Sequence, residues 1–157
     1  MKPFLTAILI TISTLASGQS DRVYLFSYFR GNGEDGLHLA FSRDGLNFNA
    51  LNDDRPFLTP AVGESELMRD PCIIRTPDGI FHMVWTAGWT ERGIGYASSV
   101  DLINWTEQKY LRVMENEPSA RNCWAPEIIY NKRKKEFLII WSTTIPGKFP
   151  ETDKSGD

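Results

Sequence analysis

Gly93-Ile94-Gly95-Tyr96-Ala97-Ser98-Ser99-Val100-Asp101-Leu102-Ile103-Asn104-Trp105 repeats a pattern found 57 residues earlier in the chain. Laid without a gap on Gly36-Leu37-His38-Leu39-Ala40-Phe41-Ser42-Arg43-Asp44-Gly45-Leu46-Asn47-Phe48, it shares Gly, Ala, Ser, Asp and Asn at matching places. Phe48 falls on Trp105. Just upstream, Tyr24-Leu25-Phe26-Ser27-Tyr28-Phe29 matches Phe81-His82-Met83-Val84-Trp85-Thr86, and Phe137-Leu138-Ile139-Ile140-Trp141-Ser142 is a third copy. Self-similarity at a fixed spacing of this size marks a repeat architecture, in which each unit is one supersecondary element.

The complete unit reads as four short strands. A first strand starts at Cys72 and turns through Thr76-Pro77-Asp78-Gly79, with proline and glycine where a β-turn needs them. A second runs from Ile80 to about Thr86, a third from Ile94 to Ser98, and Asp101 to Asn104 makes the next turn. The fourth starts at Trp105 and extends toward Val113. In the first unit Asp44-Gly45 makes the equivalent turn with stronger hairpin chemistry. Four antiparallel strands at this spacing, rich in aromatics, predict an all-β fold built of β-propeller blades. The first unit lacks an opening strand and the third has only two, which predicts about two to two and a half four-stranded blades. Propellers close with about four to eight, so the sequence reads as the front part of a longer protein.

The N-terminus is zoned. Lys2 is followed by the apolar run Phe4 to Leu15 and the small residues Ala16-Ser17-Gly18, the order of a secretory signal peptide over 1–18. An incomplete propeller domain is then expected over 19–157, in a secreted or periplasmic protein. Removing the signal takes away one lysine and leaves 16 basic against 20 acidic residues, a net charge of −4. That mild acidity argues against nucleic acid and against an anionic membrane as partners. Cys72 and Cys123 read as two buried thiols, with pairing left open in an oxidising compartment.

Two strand heads carry the chemistry. In Leu67-Met68-Arg69-Asp70-Pro71-Cys72-Ile73-Ile74 an acid sits between arginine and proline ahead of a β-branched run. Proline fixes φ and removes a donor, so it marks a first strand position. Trp124-Ala125-Pro126-Glu127-Ile128-Ile129-Tyr130 repeats the theme, with Glu127 57 residues after Asp70. A propeller gathers such strand heads around its channel, so both acids are expected at the channel or its mouth. Two carboxylates facing one cavity suit acid–base cleavage of a glycosidic bond. Trp89 and Trp124 offer flat faces for sugar rings, and Arg69 can hold Asp70 ionised or bind a sugar hydroxyl. Trp85, Trp105 and Trp141 recur at strand positions and read as core. His38 and His82 lack metal-ligand spacing and read as structural; no metal and no cofactor are expected.

Taken in order, Arg69-Asp70-Pro71-Cys72-Ile73-Ile74, Thr76 to Thr86, Ile94 to Trp105 and Asn122 to Tyr130 resemble the N-terminal part of glycoside hydrolase family 43. The resemblance covers Leu67 to Ser142 and implies a five-bladed propeller that cleaves arabinose- or xylose-containing glycans with inversion. It places Asp70 on the general base and makes Glu127 a channel or subsite residue. It also implies that the general acid comes from later blades, so residues 1–157 alone are expected to be inactive. From the residues alone, Glu127 could be the acid. A non-catalytic glycan-binding propeller and a propeller interaction module remain as alternatives.

Overall fold

A computed structural model describes residues 22–150. The proposed signal segment lies outside the described residues. Three consecutive antiparallel sheets follow one another along the chain. The first is β1 (Tyr24–Tyr28), β2 (His38–Ser42) and β3 (Asn49–Ala50). The second is β4 (Arg69–Arg75), β5 (Phe81–Thr86), β6 (Ile94–Ser99) and β7 (Lys109–Leu111), in that spatial order. The third is the pair β8 (Trp124–Asn131) and β9 (Glu136–Ser142). Helical structure among the described residues is a single 3-10 turn at Asn52–Asp54.

These are the blades that the repeat predicts. The middle one has its four strands, the first lacks a counterpart of β4, and the third has counterparts of β4 and β5. The fold is a partial β-propeller. The repeated turn is reproduced bond by bond. Ser42 Oγ donates to Asp44 Oδ1, which also accepts the amides of Leu46 and Asn47, while Asn47 Nδ2 donates to Oδ2. Ser99, Asp101, Ile103 and Asn104 make the same set. This explains the shared Ser, Asp and Asn: one carboxylate closes the turn by satisfying amides that have no strand partner.

Strand alternation then builds the core between sheets. On β5, Met83 and Trp85 point into a cluster with Leu39 of β2, Leu37 just before it, Met68 and Ala97, joining the first two sheets. Val84, between them, points the other way into a cluster with Ile94, Cys123 and Ile128, which joins the second sheet to the third. Each large side chain fully buried this way contributes about 1.5–3 kcal/mol. Trp85 is wholly buried, as expected, and Trp105 and Trp141 are partly buried against these clusters. Cys72 and Cys123 belong to the second cluster as free thiols, and burial pushes the Cys123 thiol up to about 11.

The register corrects the equivalence of the two acids. Both β4 and β8 open on a bulge, between Arg69 and Cys72 and between Trp124 and Glu127. The two bulges superpose Pro71 on Pro126, so Asp70 corresponds to Ala125 and Glu127 to Cys72. Both bulged residues have left-handed backbone, with φ of 50° at Asp70 and 45° at Ala125. An extra residue in one strand needs such a local twist.

Candidate active site

Asp70 is exposed on its bulge, at the head of the first strand of the middle blade. Its Oδ2 accepts a hydrogen bond from Thr86 Oγ1 at 3.1 Å. Thr86 is buried at the end of β5, and its hydroxyl oxygen in turn accepts the Ala125 amide at 2.9 Å. The amide fixes the hydroxyl as donor toward Asp70. One carboxylate oxygen is therefore held by the fold, while Oδ1 has no protein partner among the described residues. An ion pair between Arg69 and Asp70 is absent.

Arg69 goes elsewhere. Its guanidinium lies 4.8 Å from the Phe29 ring centroid and 4.2 Å from that of Trp89, between two aromatic residues. Its Nη1 donates to Asn32 Oδ1 at 3.0 Å and Asn32 O at 3.3 Å. The same Asn32 Oδ1 accepts Trp89 Nε1 at 2.9 Å. Trp124 stands edge-on to Trp89, 5.6 Å between centroids and 88° between planes, and donates its Nε1 to the Trp89 carbonyl at 2.9 Å. Arg69, Trp89 and Trp124 thus form one group, drawn from the loops and strand heads of two blades, with Asn32 and Phe29 joining it from the first. Trp89 keeps 47% of its surface exposed.

Glu127 is not part of that group. On β8 the residues Pro126 and Ile128 are buried and Glu127 and Ile129 are exposed, so its carboxylate points to the open face of the third sheet. Asp70, in contrast, is turned onto Thr86.

Two residues of this arrangement escaped the sequence reading. Asn32 and Trp89 are 57 residues apart and hydrogen bond to each other. They occupy the same place in successive blades, so the repeat itself pointed to Asn32. Thr86 ends the repeated aromatic strand, but nothing in its type signals a role. Both histidines have polar partners within the fold. His38 is buried with Nε2 2.9 Å from Asp35 Oδ2, and its Nδ1 lies 3.3 Å from Asp54 Oδ1 without hydrogen-bond geometry. His82 Nδ1 pairs with the Tyr96 hydroxyl at 2.8 Å, and burial lowers its pKa. Asp54 also accepts from Tyr28 at 2.6 Å and Arg30 at 2.9 Å. Burial, followed by Asp54, pushes the Tyr28 phenol up to about 12. Among the described residues no set of three His, Cys, Asp or Glu is arranged to hold a metal.

The described site is thus an exposed carboxylate at a strand head and a half-exposed tryptophan held by Asn32 and Arg69. The sequence model of the family Glyco_hydro_43_rel, described as "Probable glycosyl hydrolase domain", matches residues 20–156. The chain belongs to this family. Solved structures agree on the fold. A Bacteroides ovatus protein named "putative glycoside hydrolase" superposes with a TM-score of 0.51 at 25% identity, over 68% of this chain and 36% of that one. A glycosyl hydrolase from Bacteroides ovatus has a TM-score of 0.51 at 19% identity, over 76% and 39%. A Bacteroides thetaiotaomicron "putative glycosidase" has a TM-score of 0.50 at 21% identity, over 70% and 38%. The family chain thus spans less than two fifths of the length of these proteins. No curated protein matches it significantly.

Proposed function

We propose that this chain supplies the general base, Asp70, of a secreted or periplasmic inverting glycoside hydrolase acting on arabinose- or xylose-containing glycans. The observation that carries the reading is the Asp70 carboxylate itself: exposed on the bulge, anchored through Oδ2 to Thr86, and open at Oδ1. The bulge belongs to the fold, since Ala125 repeats it in the next blade. What distinguishes the middle blade is the carboxylate placed on it, at a backbone position that aspartate tolerates better than most residues.

In an inverting hydrolase the base takes a proton from a water that attacks the anomeric carbon, while a protonated carboxyl on the other side assists the leaving group. Asp70 can do the first through Oδ1, with Thr86 holding the second oxygen and so the plane of the carboxylate. Trp89 provides the apolar face for a sugar ring. Arg69 covers a Trp89 ring face and donates its hydrogen bonds to Asn32, which makes it a positioning residue for the platform.

The test is Asp70→Asn in a form of the protein extended to five blades. Turnover of arabinosyl and xylosyl substrates falls by ~10²–10⁴-fold, the range for lost acid–base catalysis, with glycan affinity little changed. Near-full activity in that variant overturns the assignment. Residues 1–157 by themselves bind glycan and show no appreciable turnover. N-terminal sequencing of protein recovered outside the cytoplasm begins near Gln19; an intact Met1 on cytoplasmic protein contradicts the address.

A further inference from the structure

The loop between β5 and β6 serves two places. Trp89 turns toward Asn32 and Arg69, whereas Thr90, Glu91 and Arg92, the next three residues, line a cleft of about 640 Å³. Its lining includes none of Arg69, Asp70, Trp89 and Trp124. The opposite wall comes from the connection between β3 and β4, with Glu64, and from Tyr110 and Arg112 around the end of β7.

The cleft has a built floor. Glu91 is 7% exposed, and its Oε1 accepts the Ser65 amide at 2.9 Å. Among the described residues its Oε2 makes no hydrogen bond of good geometry, although the Tyr110 phenol stands close to the carboxylate. A Cβ on Gly63 or Gly88 would collide with the carboxylate, so both surrounding loops are glycine where they pass it. Burial, and after it the charge of Glu91, raises the pKa of the neighbouring Tyr110, which keeps the phenol a hydrogen-bond donor.

Among the described residues the charges around this floor do not pair. Arg92 and Arg112 are exposed, and neither makes an ion pair with Glu64, Glu91 or Glu115, although all five line the same cleft. Free guanidinium groups match a carboxylate in geometry and charge. Three carboxylates on the same lining disfavour a multiply charged anion such as phosphate, and they accept hydrogen bonds from hydroxyl groups. A ligand with one negative charge and many hydroxyls satisfies both halves of the lining.

We propose that this cleft is a subsite for a uronic acid unit of the glycan. Arg92 and Arg112 supply the positive charge for the sugar carboxylate, and Thr90, Tyr110 and Glu64 take the ring hydroxyls. The proposal rests on the glycan reading above and deepens it, because it makes the substrate an acidic glycan.

Titration calorimetry on the full chain tests it, with a xylo-oligosaccharide carrying one glucuronic acid, its unsubstituted parent, and inorganic phosphate. The acidic oligosaccharide binds at least about tenfold tighter than its parent, as expected for charge-assisted bonds. The advantage shrinks in high salt. Arg92→Ala with Arg112→Ala, both exposed, removes the advantage and leaves parent binding unchanged. Equal binding of the two oligosaccharides, an advantage that survives the double substitution, or phosphate binding as tightly as the acidic sugar overturns the proposal. Binding of the acidic oligosaccharide without any of its parent overturns the pentose-platform reading while the cleft stands; binding of neither overturns both.

Discussion

Thr86 and Asp70 share one hydroxyl proton across the bulge that opens β4: Thr86 Oγ1 donates it to Asp70 Oδ2 at 3.1 Å while accepting the Ala125 amide. A buried side chain of the middle blade therefore joins two successive strand heads. Thr86→Val keeps the shape and removes the hydroxyl, leaving the Ala125 amide without this partner and Asp70 without its anchor. It lowers stability by about 1–3 kcal/mol, the cost of an unsatisfied group. Thr86→Ser restores most of the loss. Equal urea midpoints for the Val variant and the wild type would contradict the bridge.

A second prediction concerns acid. The amide of Asn47 and the side chain of the same residue hold Asp44 well below the usual carboxylate range, and Asn104 does the same for Asp101. Because the folded pKa lies below the ordinary value of 3.8, the stability these turns contribute is present above that pH. It is lost as pH falls through the folded value, with onset below about pH 5. Asp44→Asn with Asp101→Asn lowers the denaturation midpoint at neutral pH and flattens its fall in acid. The check is a set of urea titrations across that range. An unchanged acid slope in the double variant would remove the turns from the account.

The turn was legible because its chemistry is local: Ser, Asp and Asn at fixed offsets make the same hydrogen bonds wherever they occur. The strands were legible from β-branched and aromatic runs for a similar reason. The equivalence of Asp70 and Glu127 was misread because a bulge leaves no spacing signal of its own. Only Pro71 and Pro126 recorded it, 55 residues apart where the blades repeat at 57. At the site, Arg69, Trp89 and Trp124 stood out by residue type. Arg69 donates its hydrogen bonds to Asn32, an amide in the preceding blade, and that is a tertiary fact.

The close approach of β6 to the core gives a third prediction. Gly95 pairs with Trp85 across the sheet, and a Cβ there would run into the indole ring. Trp85 is wholly buried and cannot move aside. Gly95→Ala destabilises by about 1–3 kcal/mol, as overpacking does. Gly95→Ala with Trp85→Phe recovers part of the loss by making room. Failure of the pair to recover any stability in thermal melts would place the cost elsewhere.

The outer faces of the first and third sheets predict association. Phe26 and Phe48 pack together and remain about half exposed on one side, and Ile129, Leu138 and Ile140 are as exposed on the other. Contiguous apolar surface of this kind attracts partners and dyes. The described chain binds a hydrophobic dye and sediments as a concentration-dependent mixture. Leu138→Thr with Ile140→Thr reduces both signals. A monomer with no dye uptake would show that these faces are covered.

The last prediction concerns the tryptophan platform. Asn32 Oδ1 accepts from Trp89 and from Arg69, so one amide oxygen fixes both members of the stack. Asn32→Leu removes the acceptor at similar size. Trp89 then loses the one side-chain hydrogen bond it makes among the described residues and Arg69 loses one of its two contacts to Asn32, while the ring remains present. If Trp89 is the sugar platform, Asn32→Leu weakens oligosaccharide binding by a smaller factor than Trp89→Ala, and the two substitutions together cost no more than Trp89→Ala alone. That non-additivity is the signature of a residue acting through another. In a five-bladed form, both changes affect KM more than kcat, the opposite of Asp70→Asn. Quenching of tryptophan fluorescence by arabino- and xylo-oligosaccharides measures the affinities, and a double-substitution cycle reads the coupling. Additive losses would mean that Asn32 touches the sugar itself or acts elsewhere; wild-type affinity in Trp89→Ala would remove the platform.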